Sequence, residues 1–178
     1  NAITEKEKEL GKLRHDKLEN IDFWQGELNT GEEKAVPVIE KLKTKINKEQ
    51  KVIIDSPPGT TCPTIEAITD TDFTVVVTEP SSFGLHDLKM VVEMLDDIDQ
   101  PFAVVINRAE TDSDYLIEDY CQEEGIEILI KIPFSRKIAE LYSNGKPFVN
   151  QLEGWEEKFK DLYKAIKEEA VKDERNNS

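Results

Sequence analysis

The chain has 178 residues, 38% of them hydrophobic and 34% charged, enough for one domain with a modest core. Its net charge of −15, from 38 acids against 23 bases, repels nucleic-acid backbones and anionic membrane surfaces, so neither is an expected partner. Two cysteines, Cys62 and Cys121, argue against a disulfide framework or a structural zinc site; no apolar run reaches membrane-spanning length, and the expected location is the cytoplasm.

The first 30 residues are charged and weakly periodic. Ile21-Asp22-Phe23-Trp24 reads as a short strand, with Gly26 and Asn29-Thr30-Gly31 as punctuation after it. Val36, Val38, Ile39, Leu42 and Ile46 predict a helix over about 35–47, with Pro37 tolerable only in its first turn. Val52-Ile53-Ile54 is a predicted strand and Ile65–Ile68 a short helix. A second strand follows at Phe73–Thr78, then a helical face of Leu85, Leu88, Val91, Val92 and Leu95. Phe102–Ile106 is the third strand; Leu116, Ile117, Tyr120 and Cys121 mark the next helix; Ile126–Ile132 is the fourth strand. A short helix around Lys137–Tyr142 and a last helix striped by Trp155, Phe159, Leu162, Tyr163 and Ile166 complete the pattern, with a frayed tail at Asp173–Ser178. β-branched strands alternating with helices predict an α/β fold, a mostly parallel sheet flanked by helices.

Residues with chemical potential fall where strands end. Asp55 follows an apolar run and precedes Ser56-Pro57-Pro58-Gly59-Thr60. A carboxylate at the carboxyl edge of such a sheet holds a water of a Mg²⁺ shell, because Mg²⁺ keeps several waters and takes few protein ligands. Gly59 leaves room for a phosphate and can aim its N–H at it. A turn cap uses the same carboxylate, and that alternative stays open. Asn107 and Arg108 end the third strand: the amide can pair with a purine edge, and the guanidinium can stack on a base or reach a carboxylate. An ordinary strand-ending turn is the alternative. Pro133 walls a base pocket or simply ends the fourth strand, and Ser135 suits a helix N-cap. Ser81 or Ser82 caps the helix through Leu95, with Phe83 as its hydrophobic staple. Cys62 reads as a small buried residue, and neither His15 nor His86 has triad partners. The glycine-lysine loop G-x-x-x-x-G-K-[ST] occurs nowhere.

Three segments taken together, Asp55–Pro63, Thr78-Glu79-Pro80 with Phe83–Leu88, and Val105-Ile106-Asn107-Arg108, resemble the MinD/ParA-like P-loop ATPases of the SIMIBI class that carry an inserted ferredoxin domain. Mrp-type iron–sulfur carrier ATPases are close relatives of that group. The resemblance runs in order from about Gly26 to Pro147. It implies that Asp55 is the Walker B acid that helps hold Mg²⁺, that Pro57–Thr60, with Pro58 and Gly59, senses the γ-phosphate, and that Asn107, Arg108 and Pro133 lie at the adenine. The implied cofactors are ATP and Mg²⁺, with iron–sulfur clusters confined to a ferredoxin insert that is missing here. The implied partners are ATP, a second copy in a homodimer of the intact protein, and a redox or iron–sulfur protein. Asn1–Glu7 resembles the stretch behind the last cysteine of such an insert. The expected layout is therefore 1–30 following the insert, 31–172 as the carboxyl-terminal part of the ATPase domain without its phosphate-loop strand, and 173–178 as tail. A start at Asn1 fits processing or a fragment, and the chain alone is expected to be inactive. Two alternatives remain: a non-enzymatic interaction module, and, ranked lower because its CxxC is absent, an Mrp-type cluster carrier.

Overall fold

The computed structural model describes residues 8–47, 49–109 and 113–176, with the backbone alone given for 172–176. The readings placed on Asn1–Glu7 and on the last two residues lie outside the described residues. The chain divides into two compact units, one up to Thr69 and one from Asp70.

The first unit opens with an antiparallel hairpin, β1 (Gly11–Leu18) and β2 (Ile21–Leu28). Leu18 lies opposite Ile21, so Glu19 and Asn20 alone make the turn, and Glu19 takes the positive φ of 49° that tight hairpins demand. The predicted strand at Ile21 is thus the start of a longer one. Gly26 is a strand residue instead of a break: a Cβ there would lie 2.9 Å from Val38 Cγ1, so the bare backbone admits the following helix. His15 stacks on its cross-strand partner Trp24 at 4.1 Å between ring centroids. Helix α1 (Val36–Lys43) carries its proline in the first turn, as expected, but ends before residue 47. Lys43 Nζ donates to the carbonyls of Glu66 at 2.7 Å and Thr69 at 2.8 Å, satisfying the end of α2 (Cys62–Ile68).

The predicted strand at Val52-Ile53-Ile54 is not formed. Residues 51–57 have no strand pairing, and Ile53 is 97% exposed. An apolar extended run becomes a strand only when a neighbour takes its N–H and C=O groups, and no described segment does so here.

The second unit is a parallel sheet in the order β3-β4-β5, formed by Thr74–Thr78, Phe102–Ala109 and Ile128–Pro133. The middle strand is the core: Ala103, Val104, Val105 and Ile106 are all buried, because a central strand of a helix-covered sheet has both faces occupied. Helix α3 (Ser82–Asp97) adds Leu88, Val92 and Leu95, and α4 (Tyr115–Glu124) adds Ile117 and Cys121. Gly125, at φ 70°, ends α4 in the left-handed conformation that favours glycine. After α5 (Arg136–Ser143) and a 3-10 turn at Phe148–Asn150, α6 (Trp155–Asn176) is anchored by the edge-on contact of Phe148 with Trp155 at 5.0 Å. It continues past the point where fraying was expected. The predicted α/β class, a parallel sheet flanked by helices, is the observed one. Among the described residues, strand β3 pairs on one side only, with β4, and its Val77 is 61% exposed.

Candidate nucleotide site

Within the first unit, Asp55, Pro58 and Gly59 share one loop ahead of α2. Asp55 is exposed, so its carboxylate is free of the hydrophobic interior. Gly59 has φ 85°, and a Cβ there would meet nothing within 4 Å; the residue is needed for its backbone conformation, and the space above it is open. The buried Thr64 hydroxyl anchors the loop from beneath, reaching the Pro57 carbonyl at 3.2 Å and the Pro58 carbonyl at 3.3 Å. Sequence reasoning missed Thr64, since one threonine in a short helix carries no signal of its own.

Within the second unit, the carboxyl ends of β3, β4 and β5 bring Glu79, Asn107, Arg108, Pro133 and Phe134 to one edge. Asn107 pairs with Ile132 and Ala109 with Pro133, so Arg108 is an extra residue in the ladder. Its φ is 54°, a left-handed conformation unusual for arginine. Such bulges re-aim side chains. Arg108 Nη1 stands 3.4 Å from both carboxylate oxygens of Glu79, and its guanidinium carbon lies 5.4 Å from the centre of the Phe134 ring. Phe134 in turn donates its N–H to the Ala109 carbonyl at 3.0 Å. Neither the bulge nor the Phe134 contact was legible beforehand, because both depend on register between strands far apart in sequence.

A cleft of about 370 Å³ opens beside these strand ends, lined by Thr78, Glu79, Ser81, Phe83, Asp87 and Asn107 among others. Its rim is built on Gly84, where a Cβ would collide with the Glu79 carbonyl oxygen. Ser81 caps α3 as expected, its Oγ accepting from the Gly84 N–H at 3.0 Å, and Ser135 caps α5 through the Ile138 N–H at 3.4 Å. Phe83 does not staple the helix: it is 85% exposed, facing the cleft instead of the core. Cys62 is likewise exposed, not buried, because it begins α2 at the loop instead of on the packed side.

The donor set discriminates among cofactors. A single exposed carboxylate at Asp55 fits a hydrated Mg²⁺, which asks for one or two protein ligands. It does not fit a tightly ligated metal, and among the described residues no group of three or more His, Cys, Asp or Glu side chains is arranged for one. An iron–sulfur cluster held by cysteine alone takes four thiolates, and the two cysteines of this chain are fewer than one such set. Among the described residues no helix is long and apolar enough to cross a membrane.

A parallel α/β sheet with polar residues gathered at the carboxyl ends of its strands defines a nucleotide-binding class of fold. Residues 32–171 match the ParA family, described as the NUBPL iron-transfer P-loop NTPase, and the chain belongs to that family of MinD/ParA-like P-loop NTPases. The chain is 31% identical over 168 residues to uncharacterized protein MJ0579 of Methanocaldococcus jannaschii, covering 93% of this chain and 56% of the relative. It is 27% identical over 124 residues to uncharacterized ATP-binding protein MJ0685 of the same organism, covering 68% and 47%. The chain thus spans about half the length of the curated relatives it matches. The MinD cell division protein of Aquifex aeolicus has a similar fold, with a TM-score of 0.60 at 19% identity over 74% of this chain and 60% of that one.

Proposed function

We propose that this chain supplies the strand-end half of an ATP-binding and ATP-hydrolysing site in a MinD/ParA-like protein. In this reading it is the carboxyl-terminal part of the ATPase, and the phosphate-gripping loop with its strand comes from elsewhere in the polypeptide. Asn107 carries the reading: a half-buried amide, donor and acceptor at once, lining a cleft at the carboxyl ends of β3 and β4. Asp55 orients water around Mg²⁺, and Pro58 and Gly59 present backbone to the terminal phosphate. Arg108 and Pro133 frame the base beside Asn107. Mg²⁺, when bound, neutralises charge on the phosphates during transfer. The family match, the MinD-like fold and the ATP-binding relative support nucleotide use.

The iron-transfer description of the family supports a coupling of the intact protein to iron–sulfur or redox chemistry, with the clusters held outside these residues. Homodimerisation around bound nucleotide belongs to the same reading. The test is hydrolysis by the polypeptide as encoded in its genome, compared with its Asp55→Asn variant. A water-mediated Mg²⁺ partner is worth about 10- to 100-fold, so Mg²⁺-dependent turnover is expected to fall by that factor. Unchanged turnover in the variant would remove Asp55 from the site.

A further inference from the structure

We infer that Lys43 is a positioning residue for the loop that meets the terminal phosphate: from α1 it holds the far end of α2, and α2 through Thr64 sets where residues 57–59 stand. The inference rests on the nucleotide reading above, and every contact it uses lies within the first unit.

The loop supplies few restraints of its own. Pro57 and Pro58 have no N–H to donate, so the turn they make is fixed by what their carbonyls accept. One donor reaches both: the buried Thr64 Oγ1, at 3.2 Å from the first and 3.3 Å from the second. Gly59 follows at φ 85° with open space above it, so its backbone is aimed by the two prolines before it. Where Thr64 goes, the loop goes, and Thr64 goes where α2 goes.

Helix α2 has seven residues, too short a helix to hold itself in place. Its last turn carries no basic side chain of its own to meet its free carbonyls. Lys43 arrives from α1 to do so. Its Nζ donates to the Glu66 carbonyl at 2.7 Å and the Thr69 carbonyl at 2.8 Å, and stands 3.5 Å from the Glu66 carboxylate. The lysine side chain is 19% exposed, so these charge-assisted bonds are largely shielded from water. Helix α1 is seated in turn on the hairpin, where Val38 fills the space a Cβ at Gly26 would take. Helix α2 is thus a strut gripped at both ends, by the ammonium at one and by the proline carbonyls at the other.

Steady-state ATP hydrolysis by the polypeptide as encoded, with calorimetric ADP titration to count folded sites, tests this. ADP lacks the terminal phosphate, so its affinity and stoichiometry are expected to match the wild type in every variant. Lys43→Met, which keeps the aliphatic stem and loses the ammonium, lowers kcat by about tenfold and leaves KM for ATP within about twofold. Lys43→Arg, whose guanidinium also serves two carbonyls, recovers most of that loss. Thr64→Val lowers kcat by a similar factor and keeps the test decisive if the methionine variant does not fold. Combining Lys43→Met with Thr64→Val gives turnover no slower than the slower single variant, because both act on one strut. An unchanged kcat in Lys43→Met or Thr64→Val, a loss of ADP sites that accounts for the slower turnover, an arginine variant as slow as the methionine one, or losses that multiply in the double variant overturns the inference while hydrolysis by the wild type stands. A wild type that does not hydrolyse ATP overturns the nucleotide reading and this inference with it.

Discussion

Burial decides the chemistry of individual side chains, and the two cysteines show it most simply. Cys121 is 1% exposed on the buried face of α4, whereas Cys62 sits exposed at the start of α2. Removal from water disfavours the thiolate and pushes the Cys121 thiol up from its ordinary 9.0 to about 11. In a native sample at pH 8, a thiol reagent is expected to label one cysteine quickly and the second only as the fold opens. Rapid labelling of both would place Cys121 nearer the surface. The same shift has a sign in stability. The unfolded thiol loses its proton at lower pH than the folded one, so the native state binds more protons between about 9 and about 11. This contribution, on the order of 2 kcal/mol, is fully present below pH 9 and is lost as pH rises through 11. Denaturant midpoints measured across that window are expected to fall, and a Cys121→Ala background is expected to flatten the fall.

At the scale of elements, legibility followed the source of each signal. Strands β3, β4 and β5 were readable because a helix-covered strand needs a short continuous apolar run, and Val75–Val77, Ala103–Ile106 and Ile128–Ile130 supply it. Asn107 and Pro133 were then readable as strand ends. Strand β1 was not, since Gly-Lys-Leu-Arg-His-Asp-Lys-Leu faces solvent at most positions and is held by pairing with β2 instead of by burial. Val52–Ile54 has the composition of a buried strand but no described neighbour to pair with, so composition overstated it. The Arg108 bulge and the Thr64 anchor arise from tertiary register and left no local mark. The open side of β3 has a consequence. An edge left unpaired among the described residues, with an exposed Val77, is a template for association. Sedimentation of this 178-residue chain alone is expected to show oligomers or precipitation, and Val77→Lys is expected to shift it toward monomer. A monomeric wild-type chain with a single sharp melting transition would contradict that.

For the molecule as a whole, function is divided between what these residues hold and what they lack. In the proposed reading they hold a carboxylate and glycine loop for hydrated Mg²⁺ and a phosphate, and a strand-end cleft for a base and ribose. No glycine-lysine loop is present to grip a triphosphate. In the proposed reading that grip lies elsewhere in the working protein; the curated relatives this chain matches are about twice as long. The negative charge, −15 overall, adds to the need for Mg²⁺ and a basic phosphate loop, because the chain's own field opposes a tetra-anionic nucleotide. The most direct measurement is a titration of ATP with Mg²⁺ into this chain and, in parallel, into the polypeptide as encoded. Saturable, Mg²⁺-dependent binding is expected in the latter and none in the former. Tight binding by the 178-residue chain alone, or by neither, would contradict the division of the site.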